Sequence, residues 1–204
     1  MISYILLIPV FFLALTIHEF SHGWVAYKLG DTTAKYSGRL TLNPLAHIDP
    51  IGTVLFPIVL LILSGGRFTF GWAKPIPINF WNLNNPKKDI IWVGLAGPAA
   101  NIVLAWVLSL MLKIFPSGPL FELIRFGVII NLFFAVFNLI PVPPLDGSRV
   151  VMGLLPTDLA NQYASLERYG FVILILLLML GIIHTLVIPV VAFLAAQMGV
   201  PLGF

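Results

Sequence analysis

Cysteine is absent from the 204 residues, and charge is scarce, with Asp, Glu, Lys and Arg together making up 9%. The first absence excludes disulfides and thiolate metal sites, so a bound metal must take His, Asp, Glu or backbone oxygen. The second excludes an ordinary soluble surface, since soluble domains carry about 25% charged residues. No basic cluster is present either. The net charge of +3 is distributed between apolar segments, which fits a membrane topology signal and argues against nucleic-acid binding. Met1-Ile2-Ser3-Tyr4 lacks the basic region of a secretory leader, and no small-residue cleavage site follows it. The first apolar run is therefore expected to stay as a membrane segment. What the chain has in quantity is apolar surface: 59% of residues are hydrophobic and the mean hydropathy is +1.02.

A bilayer-spanning helix needs roughly 20 mostly apolar residues. Residues 4–28, 90–113, 121–143 and 169–187 qualify or nearly so, and a shorter apolar stretch continues past Pro189 to about residue 200. Residues 51–64 are apolar but short, which suits a re-entrant or interfacial element. Between Arg67 and Phe80 the pattern changes: Phe68, Phe70 and Trp72 alternate, then Ile76, Ile78 and Phe80, with Gly71, Pro75 and Pro77 interspersed. That alternation predicts a small β-hairpin over 66–80, its second strand confined to an edge by the prolines. The expected fold is an all-α polytopic membrane protein of five to six transmembrane or re-entrant helices plus that hairpin. It is read as one integral membrane domain over 1–204, with a motif-bearing core at about 4–147 and further membrane segments at 169–200.

Residues 18–22 read His18-Glu19-Phe20-Ser21-His22. On a helix, positions i and i+4 share a face, so both imidazoles reach one metal ion. Glu19 lies beside the first of them, placed to take a proton from a water at the metal. With four His and three Glu in the chain, composition alone gives on the order of 0.001 chance matches to this pattern. Location adds weight, because an ionisable residue inside a membrane helix costs roughly 2.5–3.5 kcal/mol on insertion scales. Three within five positions need a reason, although a satisfied polar network is an alternative.

A catalytic zinc site takes three protein ligands, and the candidates for the third are His47, Asp49, Glu122, Asp146 and His184. Asp146 stands out at the end of Asn138-Leu139-Ile140-Pro141-Val142-Pro143-Pro144-Leu145-Asp146-Gly147, where prolines end an apolar helix near the membrane boundary. Asp-Gly is equally a turn pair, so ligand and turn stand level on chemistry alone. His47 and Asp49 lie in a stretch rich in turn signals and read first as a structural turn or a His–Asp bond. His184 reads as interfacial, and Glu122, Glu167 and Arg168 as markers of membrane boundaries. Gly94 and Gly97 read as sites of close helix contact. Ser21, Asn101 and Asn138, polar within apolar helices, read as interhelical hydrogen-bonding groups or as the lining of a water path.

Three blocks in order, His18 to His22, then Gly97-Pro98-Ala99-Ala100-Asn101, then Asn138 to Gly147, resemble the site-2 protease family of intramembrane zinc metalloproteases. The resemblance implies that His18, His22 and Asp146 ligate Zn2+ and that Glu19 is the general base. It further implies that Asn138 and Asn101 hold the substrate or the developing oxyanion. The chain looks like a minimal member without a PDZ or CBS domain. Its implied substrates are single-span membrane proteins in the lipid bilayer, cut within or near their transmembrane segments. Because such substrates must be unwound before cleavage, residues 74–80 are expected to pair with them by β-addition. Two rival readings are a metal-ion transporter, for which the repeated halves are missing, and an inactive scaffold relative.

Charge gives an independent check. His22 and Asp146 meet only if 4–28 and 121–143 run in the same direction, which requires that 51–64 not cross. Nine basic residues then share one side (Lys28, Lys35, Arg39, Arg67, Lys74, Lys87, Lys88, Arg149 and Arg168), and two, Lys113 and Arg125, lie opposite. The positive-inside rule prefers that split over five against six. It places the metal near the cytoplasmic face of a prokaryotic cytoplasmic membrane.

Overall fold

A computed structural model of the chain describes residues 6–66, 71 and 73–200. Among these residues every regular element is helical. Helix α1 (Leu7–Lys28) has 22 residues, about 33 Å at 1.5 Å per residue, enough to cross a bilayer. It stops at Gly30, whose φ of +111° suits glycine, and where a Cβ would press on Asn84 Oδ1 and Asn82 O. A short helix, α2 (Thr33–Tyr36), follows, and Asp31 between them is a hub. Its carboxylate accepts from Thr33, from Asn79 N at 2.8 Å and from Asn82 Nδ2 at 3.0 Å. Burial pushes that carboxyl upward, but the bonds from Thr33, Asn82 and Asn79 outweigh it and hold the group below its ordinary pKa.

A wide helical turn at Pro50–Leu55, capped by Asp49 Oδ1 on Ile51 N and Gly52 N, leads into α3 (Phe56–Leu63). Together these 14 residues span about 21 Å, too little to cross upright. Helix α4 (Pro86–Leu112) opens with Asn85 accepting from Lys88 N while Asp89 reaches back to Asn85 N at 2.7 Å. This reciprocal cap, with Pro86 at the first position, fixes where α4 starts. Helix α5 (Pro119–Asn138) starts after Gly118 and ends at the proline-rich block. Then come α6 (Gly147–Leu154), α7 (Thr157–Ala164), α8 (Gly170–Met179) and α9 (Ile188–Gln197).

Among the described residues, three helical stretches are long and apolar enough to cross a membrane: Pro86–Leu112, Pro119–Asn138 and Thr157–Met179. Helix α1 has the length but interrupts its apolar run at His18, Glu19, Ser21 and His22. Large apolar side chains on the spans are bare, among them Val103, Trp106, Val172 and Leu176, as a lipid-facing surface requires.

Pairwise contacts give the helix directions. Along α1 and α4, Ala14 meets Asn101 while His22 meets Val93, so the two are antiparallel. Along α4 and α5, Asn101 meets Asn131 while Leu108 packs at Gly127, again antiparallel. Helices α1 and α5 therefore run parallel, as the charge distribution predicts. The buried core between α4, α5 and α9 holds Ala105, Val128, Leu132, Val191 and Ala195.

Two expectations need correction. The stretch expected at 169–187 instead begins its helix at Thr157 and stops at Met179, because Gly181 takes a φ of +78°. No strand forms at 73–79, and residues 67–70 and 72 of the expected hairpin lie outside the described set. The reason is where the amide protons go. Pro75 and Pro77 have none, Lys74 N donates to His47 O, Ile76 N to Glu19 and Asn79 N to Asp31. The donors at Lys74 and Ile76 that β-addition of a substrate would use are engaged within the fold.

Candidate metal centre

The i, i+4 spacing on α1 carries His18 and His22 to the face that packs against α4, where both are buried. Each ring is fixed by its Nδ1. His22 Nδ1 lies 2.7 Å from Val93 O, a carbonyl that can only accept, so this nitrogen carries the proton. His18 Nδ1 lies 2.6 Å from Asn101 Oδ1. That oxygen is an acceptor because Asn101 Nδ2 donates to Ala14 O at 3.1 Å and to Asn131 Oδ1 at 2.6 Å. Asn131 in turn donates to Gly127 O at 2.8 Å. A chain of amides from α5 through α4 thus sets the tautomer of a histidine on α1.

With both Nδ1 atoms protonated, both Nε2 atoms are bare lone pairs, and they lie 3.0 Å apart. Asp146 Oδ2 completes a triangle, 3.0 Å from His18 Nε2 and 3.1 Å from His22 Nε2. Asp146 stands before the first residue of α6 but makes no side-chain cap to that helix. Its carboxylate turns instead to the histidines, the direction a ligand needs. The loop that delivers it is compact, since Gly147 sits directly on Leu139 O and Ile140 O with no space for a Cβ. Arg149 braces it from outside through a two-pronged pair with Glu167, at 2.6 and 3.1 Å.

Three lone pairs converge on one point with no proton between them, an arrangement that is repulsive unless a cation sits there. The spacing fits. Ligand atoms about 2.0–2.1 Å from a tetrahedral zinc ion are about 3.3–3.4 Å apart, close to the triangle observed. The fourth wall is Gly97 on α4. A Cβ there would lie 2.6 Å from His18 Cε1, 2.7 Å from His18 Nε2 and closer still to His22 Nε2. Gly97 therefore lets α4 pack directly against both imidazoles, where a side chain would intrude on their Nε2 atoms. Among the described residues these three form the one group of His, Asp and Glu side chains able to share an ion.

Glu19, next to His18 on α1, is half-buried, and its Oε2 accepts from Ile76 N at 2.9 Å. Asn101 is not open to a substrate, because its oxygen and both amide protons are engaged on His18, Ala14 and Asn131. Asn138 gives one amide proton to Phe134 O at 3.0 Å. Ser21 donates back to Ile17 O at 2.7 Å, a bond within its own helix. His47 is buried with Nε2 on Thr41 O at 2.9 Å, and Asp49 caps Pro50–Leu55, so both are structural and the expected His–Asp bond is replaced by these. His184 is exposed in a helical turn away from the triangle, and Glu122 pairs with Arg125 at 3.5 Å. Asn131 and Gly97 are the residues that sequence reasoning did not assign to the site. Asn131 had a signal, an amide inside an apolar helix, of the same kind that picked out Asn101.

Because Asn101 fixes the ring of His18, Asn101→Ala is expected to weaken metal binding about 10–100-fold, the usual effect of removing an outer partner. Asn101→Asp keeps an acceptor for Nδ1 and should lose less. Competitive titration of the metal-free proteins with a zinc indicator measures both.

Comparison with known proteins finds relatives named for zinc chemistry. The family model described as Peptidase family M50 matches residues 6–122 and 113–181. A Bacillus subtilis protein named as a candidate zinc metalloprotease, YwhC, is 38% identical over 181 residues, covering 84% of this chain and 78% of that protein. The candidate zinc metalloprotease Rip2 of Mycolicibacterium smegmatis is 33% identical over 178 residues, covering 86% and 67%. A third, MJ0611 of Methanocaldococcus jannaschii, is 47% identical over 138 residues, covering 66% and 62%. No solved structure matches.

Proposed function

Because the chain belongs to peptidase family M50 and is a zinc metalloprotease, we propose that it cuts peptide bonds within or near the transmembrane segments of single-span membrane proteins. The observation that carries this reading is the meeting of three metal-directed lone pairs, His18 Nε2, His22 Nε2 and Asp146 Oδ2, inside a bundle of apolar helices. A general base adjoins them. Zinc, when bound there, supplies Lewis acidity for a carbonyl and lowers the pKa of water.

The chain's own residues do the rest. His18 and His22 keep their Nε2 atoms unprotonated because Asn101 and Val93 hold the protons on Nδ1. Asp146 contributes the negative charge that lets a buried dication reside among apolar helices. Glu19 accepts a proton from the attacking water as the oxygen–carbon bond forms. It returns that proton to the amine nitrogen as the carbon–nitrogen bond breaks. The second amide proton of Asn138 is assigned to the substrate carbonyl, while Asn101 holds His18 and is reassigned from the substrate. Counted along the sequence, the parallel arrangement of α1 and α5 divides the basic residues nine to two, which supports a site near the cytoplasmic face of a cytoplasmic membrane.

The test uses purified protein reconstituted with a panel of single-span reporters, with the new termini mapped by mass. Cuts are expected inside the membrane-spanning stretch, towards its cytoplasmic half. Cleavage confined to soluble flanking loops would contradict the intramembrane reading.

A further inference from the structure

The segment Lys74-Pro75-Ile76-Pro77 was expected to be a strand, yet its backbone groups are engaged within the fold, by His47, Arg39 and, on α1, Glu19. Proline fixes its own φ and pushes the residue before it out of the helical region, so Lys74 and Ile76 are stiff and extended by sequence alone. In Pro75-Ile76-Pro77 there is one N–H, that of Ile76, and it meets Glu19 Oε2 at 2.9 Å. Among the described residues this is the one hydrogen bond on the Glu19 carboxylate. The other face of the same peptide group is held too. Arg39 Nη2 donates to Pro75 O at 3.3 Å and to Lys74 O at 2.9 Å. The Ile76 side chain is buried at Gly23, one turn beyond Glu19 on the same face of α1, where a Cβ would collide with it.

We infer that the Pro75–Ile76 peptide, clamped by Arg39 on its carbonyl and by the Gly23 gap beneath Ile76, positions the Glu19 carboxylate. Arg39 is thus a positioning residue for the reaction. A free glutamate side chain samples several rotamers, and holding it costs conformational entropy on each turnover. The Ile76 amide removes that freedom by fixing Oε2, which leaves Oε1 for the proton in transit. The guanidinium also polarises the peptide, so that the N–H it shares with Glu19 is a stronger donor. This inference rests on the assignment of Glu19 as general base.

The test compares the intact protein with Arg39→Ala, Arg39→Lys and Glu19→Ala in lipid nanodiscs, by reporter kinetics, zinc content and hydrogen–deuterium exchange of a peptide covering residues 73–80. For Arg39→Ala, kcat is expected to fall about 10–100-fold. KM and zinc content should stay within about twofold, the signature of a group that acts on the chemical step alone. Arg39→Lys, which keeps a charged donor, should recover part of the loss. Exchange of one amide in the 73–80 peptide should quicken about tenfold in both Arg39→Ala and Glu19→Ala, as expected when one local bond is opened. A loss confined to KM, an unchanged kcat, or unaltered exchange in Glu19→Ala overturns the inference. Should the intact protein cleave nothing, the proteolytic reading fails, while the exchange comparison still decides whether Arg39 and Glu19 share this peptide.

Discussion

Gly97→Ala is expected to abolish zinc binding and, with it, activity. The added methyl has nowhere to go. It would stand 2.6–2.7 Å from two atoms of His18 and closer to His22 Nε2, inside the distance that carbon atoms in proteins keep from their neighbours. Both rings are pinned from behind by Asn101 and Val93, so neither retreats without losing a buried hydrogen bond. Either the rings rotate out of the triangle, or α4 moves off α1 at an overpacking cost of about 1–3 kcal/mol. Both responses disperse the three lone pairs. The helix itself tolerates alanine, so circular dichroism should remain near that of the parent while bound zinc, measured by emission spectrometry, falls to background. Full zinc occupancy in Gly97→Ala would show that α4 does not wall the metal space.

Asp146→Asn should lower zinc affinity by more than about 100-fold, beyond the 10–100-fold carried by outer partners. The substitution preserves shape and removes charge. A carboxamide oxygen still faces the histidines, but the dication is left with neutral ligands in a buried setting, where charge neutralisation counts most. The loop needs no rebuilding, because its compactness comes from Gly147 on Leu139 O and Ile140 O and from the Arg149–Glu167 pair. A titration of metal-free protein measures the effect. Affinity equal to that of the parent would mean that another residue supplies the third ligand.

The parts of this site readable from sequence were those governed by spacing or by charge counting. His18, Glu19 and His22 follow from helix periodicity. The shared direction of α1 and α5 follows from the nine-to-two distribution of basic residues. Asp146 was readable only as a choice, since Asp-Gly serves a turn as well as a ligand, and deciding needs the direction of its carboxylate. Gly97 looked like a helix contact, and no pattern says that the surface it touches is a pair of imidazoles. Asn131 lies thirty residues from Asn101, so the amide chain that fixes His18 exists only once α4 and α5 pack antiparallel. At 73–80 alternation misled, because Pro-Ile-Pro spacing gives the appearance of an edge strand. The donors of Ile76, Asn79 and Lys74 are directed instead to the base, to Asp31 and to His47.

The most direct test is reporter cleavage by the purified protein before chelation, after chelation and after zinc is restored, beside Glu19→Gln. Cleavage should stop with the chelator, return with zinc and be absent from Glu19→Gln, although that variant binds zinc as the parent does. Cleavage that persists without zinc, or that Glu19→Gln performs equally well, would contradict a zinc peptidase built on His18, His22, Asp146 and Glu19.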